Sequence, residues 1–276
     1  MMAIEVKAVS YTYPDGTPAL QNVSLSIPAG SRTAILGPNG AGKSTLLLHL
    51  NGLLSPQRGQ VFVAGRPVSG DQDTWVRETV GMVFQDPDDQ VFSATVAEDV
   101  AFGPQNMGLP PEEVVRRVKA SLAKVGLRGY EERAPHHLSY GEKKRVAIAG
   151  VLAMGPDILV LDEPMAYLDP QGRLRLRSIL DELNAEGRTL LVATHDVDFA
   201  VEWADRIVVL QRGTVYRTGG PEILMDTDLL RATSLAMPTV ARVFKGFERL
   251  CENRCPLTVE EARRLLASIQ AKLEVE

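Results

Sequence analysis

The sequence predicts an α/β fold with a parallel core sheet, an antiparallel β layer, a helical subdomain and a small C-terminal extension. Three features of the chain predict it. Short alternating runs separated by turn residues come first, a run with helical spacing follows Pro110 and Pro111, and two continuous apolar runs then enclose another helical stretch. Strands that alternate with helices in this way are typical of parallel sheets covered by helices.

The antiparallel layer is predicted from Ala3 to about Gly65. Its runs IEVKAV, VSLSI and VFVAG are separated by turn signals at residues 14–16 and 28–30. A further strand, at residues 33–36, leads into a glycine-rich loop. We expect this strand to be set into the same antiparallel layer.

A helical insert is predicted at about residues 88–155. Pro110 and Pro111 open a helix there, because proline is well tolerated in a first helical turn. Apolar residues then recur at helical spacing at Val114, Val115, Val118, Leu122 and Val125.

The core sheet is predicted from the apolar runs at residues 158–161 and 190–193. Such continuous runs are typical of strands that are buried on both faces. Between them we expect a helix that begins near Asp169 and includes Leu174, Leu176, Ile179, Leu180 and Leu183. A strand, a helix and a strand in this order indicate parallel pairing.

We predict one domain over residues 1–235 and a C-terminal helical extension over residues 236–276. In the extension, residues 258–261 form a capping box ahead of a helix. One face of that helix carries Ala262, Leu265, Leu266 and Ile269. This face could pack on its own domain or on a second subunit.

Composition excludes several classes of protein. The 276 residues carry a net charge of −5, so the chain lacks the basic excess that is typical of nucleic-acid binding. No signal peptide and no apolar run of about 18 residues is present, and we expect a cytoplasmic protein. Cys251 and Cys255 lack neighbouring zinc ligands and are interpreted as reduced thiols.

Residues 37–44 match the phosphate-loop pattern G-x-x-x-x-G-K-[ST], directly after a strand and before a helix. The glycines let backbone N–H groups surround phosphate oxygens, and the helix N-terminus adds positive potential. Lys43 is expected to reach the β- and γ-phosphates, and the Ser44 hydroxyl to bind Mg²⁺. The predicted ATP-binding residues of this segment are Gly37, Pro38, Asn39, Gly40, Ala41, Gly42, Lys43, Ser44 and Thr45.

Two carboxylates, Asp162 and Glu163, follow the apolar run at residues 158–161, at a strand end where open α/β sheets bind ligands. Asp162 is suited to hold Mg²⁺. Glu163 is suited to orient or deprotonate the water that attacks the γ-phosphate. The alternative is that the Asp-Glu-Pro sequence only ends the strand, but the phosphate loop favours the catalytic interpretation.

Residues 138–142, Leu-Ser-Tyr-Gly-Glu, resemble the signature Leu-Ser-Gly-Gly-Gln of the ABC ATPases, and the resemblance covers about residues 1–220. It implies the ABC ATPase fold of the P-loop NTPases, with ATP and Mg²⁺ as ligands. It also implies a site made by two chains, in which Ser139 and Gly141 of one chain cap the γ-phosphate that the other chain binds. A second ATPase subunit, identical or a close paralogue, is the implied partner.

The signature departs from the family pattern at two positions, Tyr140 and Glu142. Glu142 remains a predicted ATP-site residue, although it brings a negative charge towards a polyanion. The motif stands ahead of a helix that we predict over residues 143–152, and the N-terminus of this helix would face an anion.

Four further positions match the family. Gln85 resembles the glutamine that senses Mg²⁺ and the attacking water, and His195 resembles the histidine that hydrogen-bonds the γ-phosphate. Tyr13 resembles the aromatic residue that stacks on adenine, and Asp169 lies in the loop that faces the second subunit. The alternatives are a surface glutamine, a strand-end histidine with a local partner and a tyrosine that only packs.

The segment 84–104 resembles the energy-coupling factor branch of the family, which takes up vitamins, cobalt or nickel. This resemblance implies a transmembrane scaffold subunit and a substrate-binding membrane subunit as partners, and a peripheral location on the cytoplasmic face of the membrane. Asp86, Asp88 and Asp89 could accept basic side chains of the scaffold, or form a solvated acidic loop. The C-terminal extension and residues 139–145 look most like cobalt-type subunits.

A second hypothesis is an ABC ATPase that acts on nucleic acid or ribosomes. Repair and chromosome-structure members insert a long coiled coil between phosphate loop and signature, and ribosome-associated members join two cassettes in one chain. The chain shows neither pattern, and its acidic balance does not favour nucleic acid. We therefore favour an ATPase that drives an importer.

Overall fold

The computed structural model describes residues 1–70, 73–247, 251 and 255–273. The strands are β1 Met2–Thr12, β2 Pro18–Pro28, β3 Arg32–Leu36, β4 Arg58–Val63, β5 Arg66–Pro67, β6 Val80–Val83, β7 Ile158–Asp162, β8 Thr189–Thr194, β9 Arg206–Gln211 and β10 Thr214–Gly219. The helices are α1 Lys43–Leu50, α2 Thr74–Thr79, α3 Val96–Asn106, α4 Pro111–Lys124, α5 Tyr140–Met154, α6 Pro170–Ala185, α7 Val197–Trp203, α8 Thr227–Thr233, α9 Thr239–Phe244 and α10 Val259–Leu273.

The core sheet has the strand order β10-β9-β3-β8-β7-β6, in which all neighbours pair in parallel except β10, which is antiparallel to β9. Every residue of β7 and of β8 is buried. The two continuous apolar runs therefore form adjacent central strands, as the sequence predicts.

The expectation that residues 33–36 belong to the antiparallel layer is wrong. That layer has the order β2-β1-β4-β5, whereas β3 pairs in parallel with β8 and β9 in the core sheet. Ala34, Ile35 and Leu36 are all fully buried. Consecutive buried residues of this kind suit a strand covered on both faces, while the strands of a layer with one wet face alternate.

Hydrophobic clusters cover the two faces of the core sheet. Leu159, Leu161 and Val192 pack in the cluster that includes the helical insert. Val160 and Leu191 point the other way, into the cluster under the antiparallel layer. Because successive side chains of a strand alternate between faces, one apolar run builds both clusters.

The helical insert contains α3, α4 and α5, with α4 beginning at the predicted proline. The predicted apolar residues Val114, Val118, Leu122 and Val125 are buried, but Val115 is exposed because it lies on the solvent side of α4. The helix near Asp169 is α6, in which Leu174 is exposed for the same reason. The domain boundaries remain predictions.

The C-terminal extension contains α10, and Thr258 and Glu261 form the predicted capping box. Ala262, Leu265 and Ile269 are half-buried, whereas Leu266 is exposed. Cys251 and Cys255 are free thiols. Among the described residues, no helix is both long and apolar enough to cross a membrane.

Candidate functional site

Most predicted site residues gather at one edge of the core sheet, where the parallel strands β3, β8, β7 and β6 end side by side. The glycine loop, defined as residues 37–44, follows β3, and Gln85, Glu163 and His195 follow the neighbouring core strands, whereas Tyr13 follows β1 of the antiparallel layer. A cavity of about 720 Å³, the first cavity, opens there. Its predicted lining residues are Tyr13, Asn39, Gly40, Ala41, Gly42, Lys43, Ser44, Thr45, Gln85, Asp162, Glu163 and His195.

The glycine loop joins the buried end of β3 to the first turn of α1. Gly42 caps α1 with a φ of 98°, and a Cβ atom there would lie 2.5 Å from the carbonyl oxygen of Ala19. Gly40 has a φ of 77° and no neighbouring atom within 4 Å of its Cβ position. Glycine is therefore needed at both positions for the backbone conformation, and at Gly42 also for space.

Lys43, near the end of this loop, is buried. Its Nζ atom donates to the carbonyl oxygens of Gly37 at 2.8 Å and Pro38 at 3.3 Å. Burial lowers the pKa of Lys43, and the nearby charges of Glu163 and Asp162 partly oppose this shift. A desolvated ammonium at the wall of a polar cavity is well placed to attract a polyanion.

Asp162 ends β7, and its carboxylate is buried. Within the described part of the chain, its Oδ1 atom has no hydrogen-bond partner. Burial raises the pKa of this carboxyl group, and hydrogen bonding from the Ser44 hydroxyl partly opposes the rise. A buried, unpartnered carboxylate oxygen is costly unless a cation or donor completes it. With Ser44 and Gln85 on the same cavity wall, these oxygen atoms fit Mg²⁺.

Both carboxylate oxygens of Glu163 have a partner in the chain. The Thr194 hydroxyl donates to Oε2 at 3.0 Å, and His195 Nδ1 lies 2.8 Å from Oε1. The backbone of Glu163 has a φ of 43°, which for a residue with a side chain costs about 1–2 kcal/mol. Its N–H donates to the carbonyl oxygen of Ala193 at 2.8 Å. The structure therefore presents this carboxylate in one fixed orientation at the cavity wall.

Tyr13 is fixed against α1 at the same cavity. Its hydroxyl lies 3.0 Å from Thr45 Oγ1, and its ring packs edge-on against Tyr11. Tyr11 in turn packs against His49, which is fully buried and lies 2.7 Å from the Thr45 carbonyl oxygen through Nδ1. Burial lowers the pKa of His49. Tyr13 thus packs on its own chain while one side of it lines the cavity.

The remaining predicted residues lie elsewhere. Ser139, Gly141, Glu142 and Asp169 line a second cavity, of about 630 Å³, and none of them lines the first. Gly37 and Pro38 line neither the first cavity nor the second, and their carbonyl oxygens accept from Lys43 Nζ. Asp169 caps α6 by accepting the Gly172 N–H at 2.6 Å. One chain therefore does not bring the glycine loop and the signature residues into one cavity.

α5, the helix at the signature motif, begins earlier than predicted. α5 starts at Tyr140, because Ser139 and Glu142 form a capping box in which the Glu142 carboxylate accepts the Ser139 N–H at 2.8 Å. The same carboxylate accepts the hydroxyl groups of Ser139 and of Tyr130. These bonds, with those from Ser139 the largest cause, lower the pKa of Glu142. Its negative charge is thus engaged with the helix terminus, where acidic groups are stabilising.

Sequence reasoning missed two residues beside Glu163. Thr194 could have been found, because it ends β8 next to His195 and carries a hydroxyl at the same sheet edge. Lys144 donates from α5 to the carbonyl oxygen of Glu163 at 2.9 Å. The sequence carries no signal for that contact, because a lysine near the start of a helix is usually solvated.

Comparisons with known proteins agree with this geometry. The family model for ABC transporters matches residues 20–166. The energy-coupling factor transporter ATP-binding protein EcfA of Carboxydothermus hydrogenoformans is 51% identical over 96% of this chain and 97% of that protein. Its namesake in Methanothermobacter thermautotrophicus is 52% identical over 94% of this chain and 84% of that protein.

Solved structures show the same fold. CbiO1 of Clostridium perfringens, part of the ABC transporter complex cbiONQ, is 41% identical, with a TM-score of 0.75 over 88% of this chain and 99% of that chain. A dimeric ATP-binding cassette with bound ADP and Pi is 31% identical, with a TM-score of 0.72 over 79% of this chain and 98% of that chain.

The cavity at the sheet edge, its glycine loop and paired carboxylates, and these similarities point to ATP binding and hydrolysis. The chain therefore belongs to the ABC transporter ATPases, and among them to the ATP-binding proteins of the energy-coupling factor type.

Proposed function

We propose that the chain works as a head-to-tail dimer, with an identical copy or a close paralogue. In this dimer the glycine loop of one chain and the signature corner, defined as residues 139–141, of the other enclose each ATP. The observation that carries this proposal is the division of the predicted residues between two cavities of one chain. Each cavity holds half of the groups that an enclosed triphosphate needs. The dimeric relative with bound ADP and Pi supports the arrangement.

Different residues of the first cavity bind different parts of the nucleotide. The glycine loop and Thr45 surround the phosphates with N–H groups at the start of α1. Lys43 supplies the positive charge for the β- and γ-phosphates, and Tyr13 offers its ring to adenine. From the second chain, Ser139 and Gly141 approach the γ-phosphate. Glu142 acts by orienting Ser139, and Asp169 faces the dimer partner.

Mg²⁺ is the proposed metal, held by Ser44, Gln85 and Asp162. The unpartnered Oδ1 atom of Asp162 supports this assignment. When bound, the ion supplies charge neutralisation for the phosphates.

Glu163 is the proposed general base. Its carboxylate takes a proton from a water molecule as the water oxygen bonds to the γ-phosphorus, the bond to the bridging oxygen breaks, and ADP leaves. Thr194 holds the carboxylate in place, and His195 is positioned between Glu163 and the γ-phosphate.

We also propose that the Gln85 segment, residues 85–89, contacts a membrane scaffold on its cytoplasmic face. The segment is exposed except for Pro87. Asp88 pairs with Lys143 at 2.6 Å, and the Asp86 carboxylate accepts the Asp88 N–H, so both are engaged within the chain. Asp89 is exposed and is the carboxylate best suited to accept a basic group of the scaffold.

Cobalt or nickel is the proposed cargo, with a vitamin as the second candidate. The cobalt-type sequence at residues 139–145 and the C-terminal extension support the metal. The cargo binds to the substrate-binding membrane subunit and never touches this chain. Identifying the membrane proteins that co-purify with the chain would decide between the two.

Replacing Glu163 with glutamine tests the proposed mechanism. We expect Glu163→Gln to bind Mg·ATP as the wild type does, to accumulate as a dimer, and to lose about 10²- to 10⁴-fold in kcat, because it lacks the base. Steady-state hydrolysis and size-exclusion chromatography with ATP measure these properties. Glu182→Gln, on the surface of α6, is the matched control and should behave as the wild type. Unchanged hydrolysis in Glu163→Gln would exclude Glu163 as the base.

A further inference from the structure

Lys144 is the fifth residue of α5 and is fully buried, although Ser139, the N-cap of that helix, is exposed. A lysine is almost never fully buried unless its ammonium has partners. Neither the proposed nucleotide contacts nor the proposed hydrolysis step uses this residue. Its position therefore calls for a separate explanation.

The ammonium of Lys144 contacts the backbone of the proposed catalytic residue Glu163. Nζ donates to the main-chain oxygen of Glu163 at 2.9 Å and lies 5.8 Å from the centre of the Tyr140 ring. Burial lowers the pKa of Lys144 to about 8, while the charges of Glu163, Asp162 and Asp86 oppose this shift. A hydrogen bond from a desolvated cation is stronger than one between neutral groups.

The Glu163 peptide is the part of the site that needs such support. Its φ is positive, and a strained backbone of this kind persists only where its surroundings fix it. The Glu163 N–H is bonded to Ala193 on β8, and its carbonyl oxygen accepts both the Ala166 N–H and Lys144 Nζ. Lys144 is the side chain that ties this peptide to α5.

The first turn of α5, which directly precedes Lys144, is bonded to the Gln85 segment. The Tyr140 hydroxyl donates to the Gln85 carbonyl oxygen at 3.1 Å, and Lys143 pairs with Asp88. The turn directly follows Ser139 and contains Gly141. The N-terminal end of α5 therefore contacts both the Glu163 backbone and the Gln85 segment. The signature corner lies at the same end of this helix.

We infer that Lys144 is a positioning residue that joins the signature corner, which a chain offers to its partner's ATP, to Glu163, which the chain uses on its own ATP. The inference rests on the proposed two-chain site. Because of the hydrogen bond from Lys144 to the Glu163 carbonyl oxygen, the signature corner and Glu163 of one chain move together. Each chain thereby affects the geometry of both ATP sites of the dimer. The glycine loop, which binds the nucleotide, does not depend on this tie.

Kinetics of Lys144→Met, which keeps the length of the side chain and removes its ammonium, give the first test. We expect kcat to fall at least tenfold while KM for Mg·ATP changes less than threefold. Lys124→Met is the matched control: Lys124 lies on α4 and pairs with Glu186, and neither residue lines the two cavities. It should keep kcat within threefold. A Lys144→Met enzyme with wild-type kcat, or with kcat and KM changed equally, would overturn the inference.

Mixed dimers of two differently tagged copies give the second test. One copy carries Glu163→Gln, so turnover comes only from the site whose Glu163 belongs to the other copy. Lys144→Met is placed first in the copy with the intact Glu163 and then in the copy with Glu163→Gln. We expect both arrangements to lower kcat at least fivefold. An effect in only one arrangement would show that Lys144 serves either the carboxylate or the signature corner, and the joining role would be wrong.

Circular dichroism and thermal unfolding establish that the variants are folded. If Lys144→Met does not fold, Lys144→Gln takes its place in the same arrangements, because it keeps an N–H donor without the charge. A control dimer with Glu163→Gln in both copies distinguishes a failure of the proposed mechanism from a failure of the joining role of Lys144. If that dimer hydrolyses ATP at the wild-type rate, Glu163 is not the base and the proposed mechanism fails; if its kcat falls as expected and the Lys144 variants are not impaired, only the joining role fails.

Discussion

The two cavities differ in how their polar groups are held. In the first, Lys43, Asp162 and Glu163 are all buried and are fixed by the ends of the core strands. In the second, Ser139 and Asp169 are exposed and are held by the capping interactions of α5 and α6. The charged groups of the first cavity are therefore desolvated within one chain, whereas Ser139 and Asp169 of the second remain in contact with solvent.

This difference explains why one chain needs another. Electrostatic contacts to a polyanion are strong where water is excluded and weak at an exposed surface. The first cavity can bind a nucleotide by itself, because its charged groups are already desolvated. The second contributes only when another chain covers it. The comparison predicts that damage to the first cavity impairs binding, and damage to the second impairs turnover.

Lys43→Ala should produce the larger effect. It removes a charge-assisted contact worth about 1.5–3 kcal/mol, so the affinity for Mg·ATP should fall about 10- to 100-fold, and turnover with it. Equilibrium binding to the isolated chain measures this. Lys124→Ala, on the surface of α4, should bind normally. If Lys43→Ala binds Mg·ATP as tightly as the wild type, the first cavity is not the phosphate site.

Gly141→Ala should produce a smaller effect, on turnover alone. A Cβ atom at Gly141 would lie 3.4 Å from Leu168 Cδ2, an ordinary contact, so the fold accepts it. Alanine in place of this helical glycine should leave the unfolding free energy unchanged or raise it by about 0.5–1 kcal/mol. We expect kcat to fall about tenfold, because in the proposed dimer the added methyl group would crowd the γ-phosphate that the signature corner approaches.

The matched control for this change is Gly150→Ala. Gly150 lies in the same helix, and its Cβ position has only ordinary contacts, at 3.9 Å to Asp99 and Val100. Denaturation and steady-state hydrolysis should show the same small gain in stability with unchanged kcat. Equal losses of kcat in the two variants would attribute the effect to α5 itself and remove the evidence for a special role of Gly141.

Local patterns were enough to predict the first cavity. The glycine loop, the pair Asp162 and Glu163, and His195 each follow an apolar run that forms a strand, and parallel strands bring their carboxyl ends to one edge. Strand partners were not predictable in the same way. Residues 33–36 follow β2 in sequence but pair with strands that lie more than a hundred positions further along the chain.

At the second cavity, the signature at residues 138–142 also contains the pattern of a helix capping box. Ser139 and Glu142 have the spacing of a capping box, a signal that the prediction of a helix over residues 143–152 did not take into account and that would have indicated the earlier start of α5. The contact of Lys144 carries no such signal. Lys143 and Lys144 are adjacent and chemically identical, and only the rotation of α5 against the sheet decides that one is buried.

Cross-linking tests the composite site most directly. Asn39→Cys in one tagged copy and Ser139→Cys in the other place thiols on the exposed glycine loop and the signature corner, with Glu163→Gln in both copies to hold the dimer. Mild oxidation followed by peptide mass spectrometry reports the pair. We expect a disulfide between the copies with Mg·ATP and little without it. A nucleotide-bound dimer that never forms this disulfide would contradict the two-chain site.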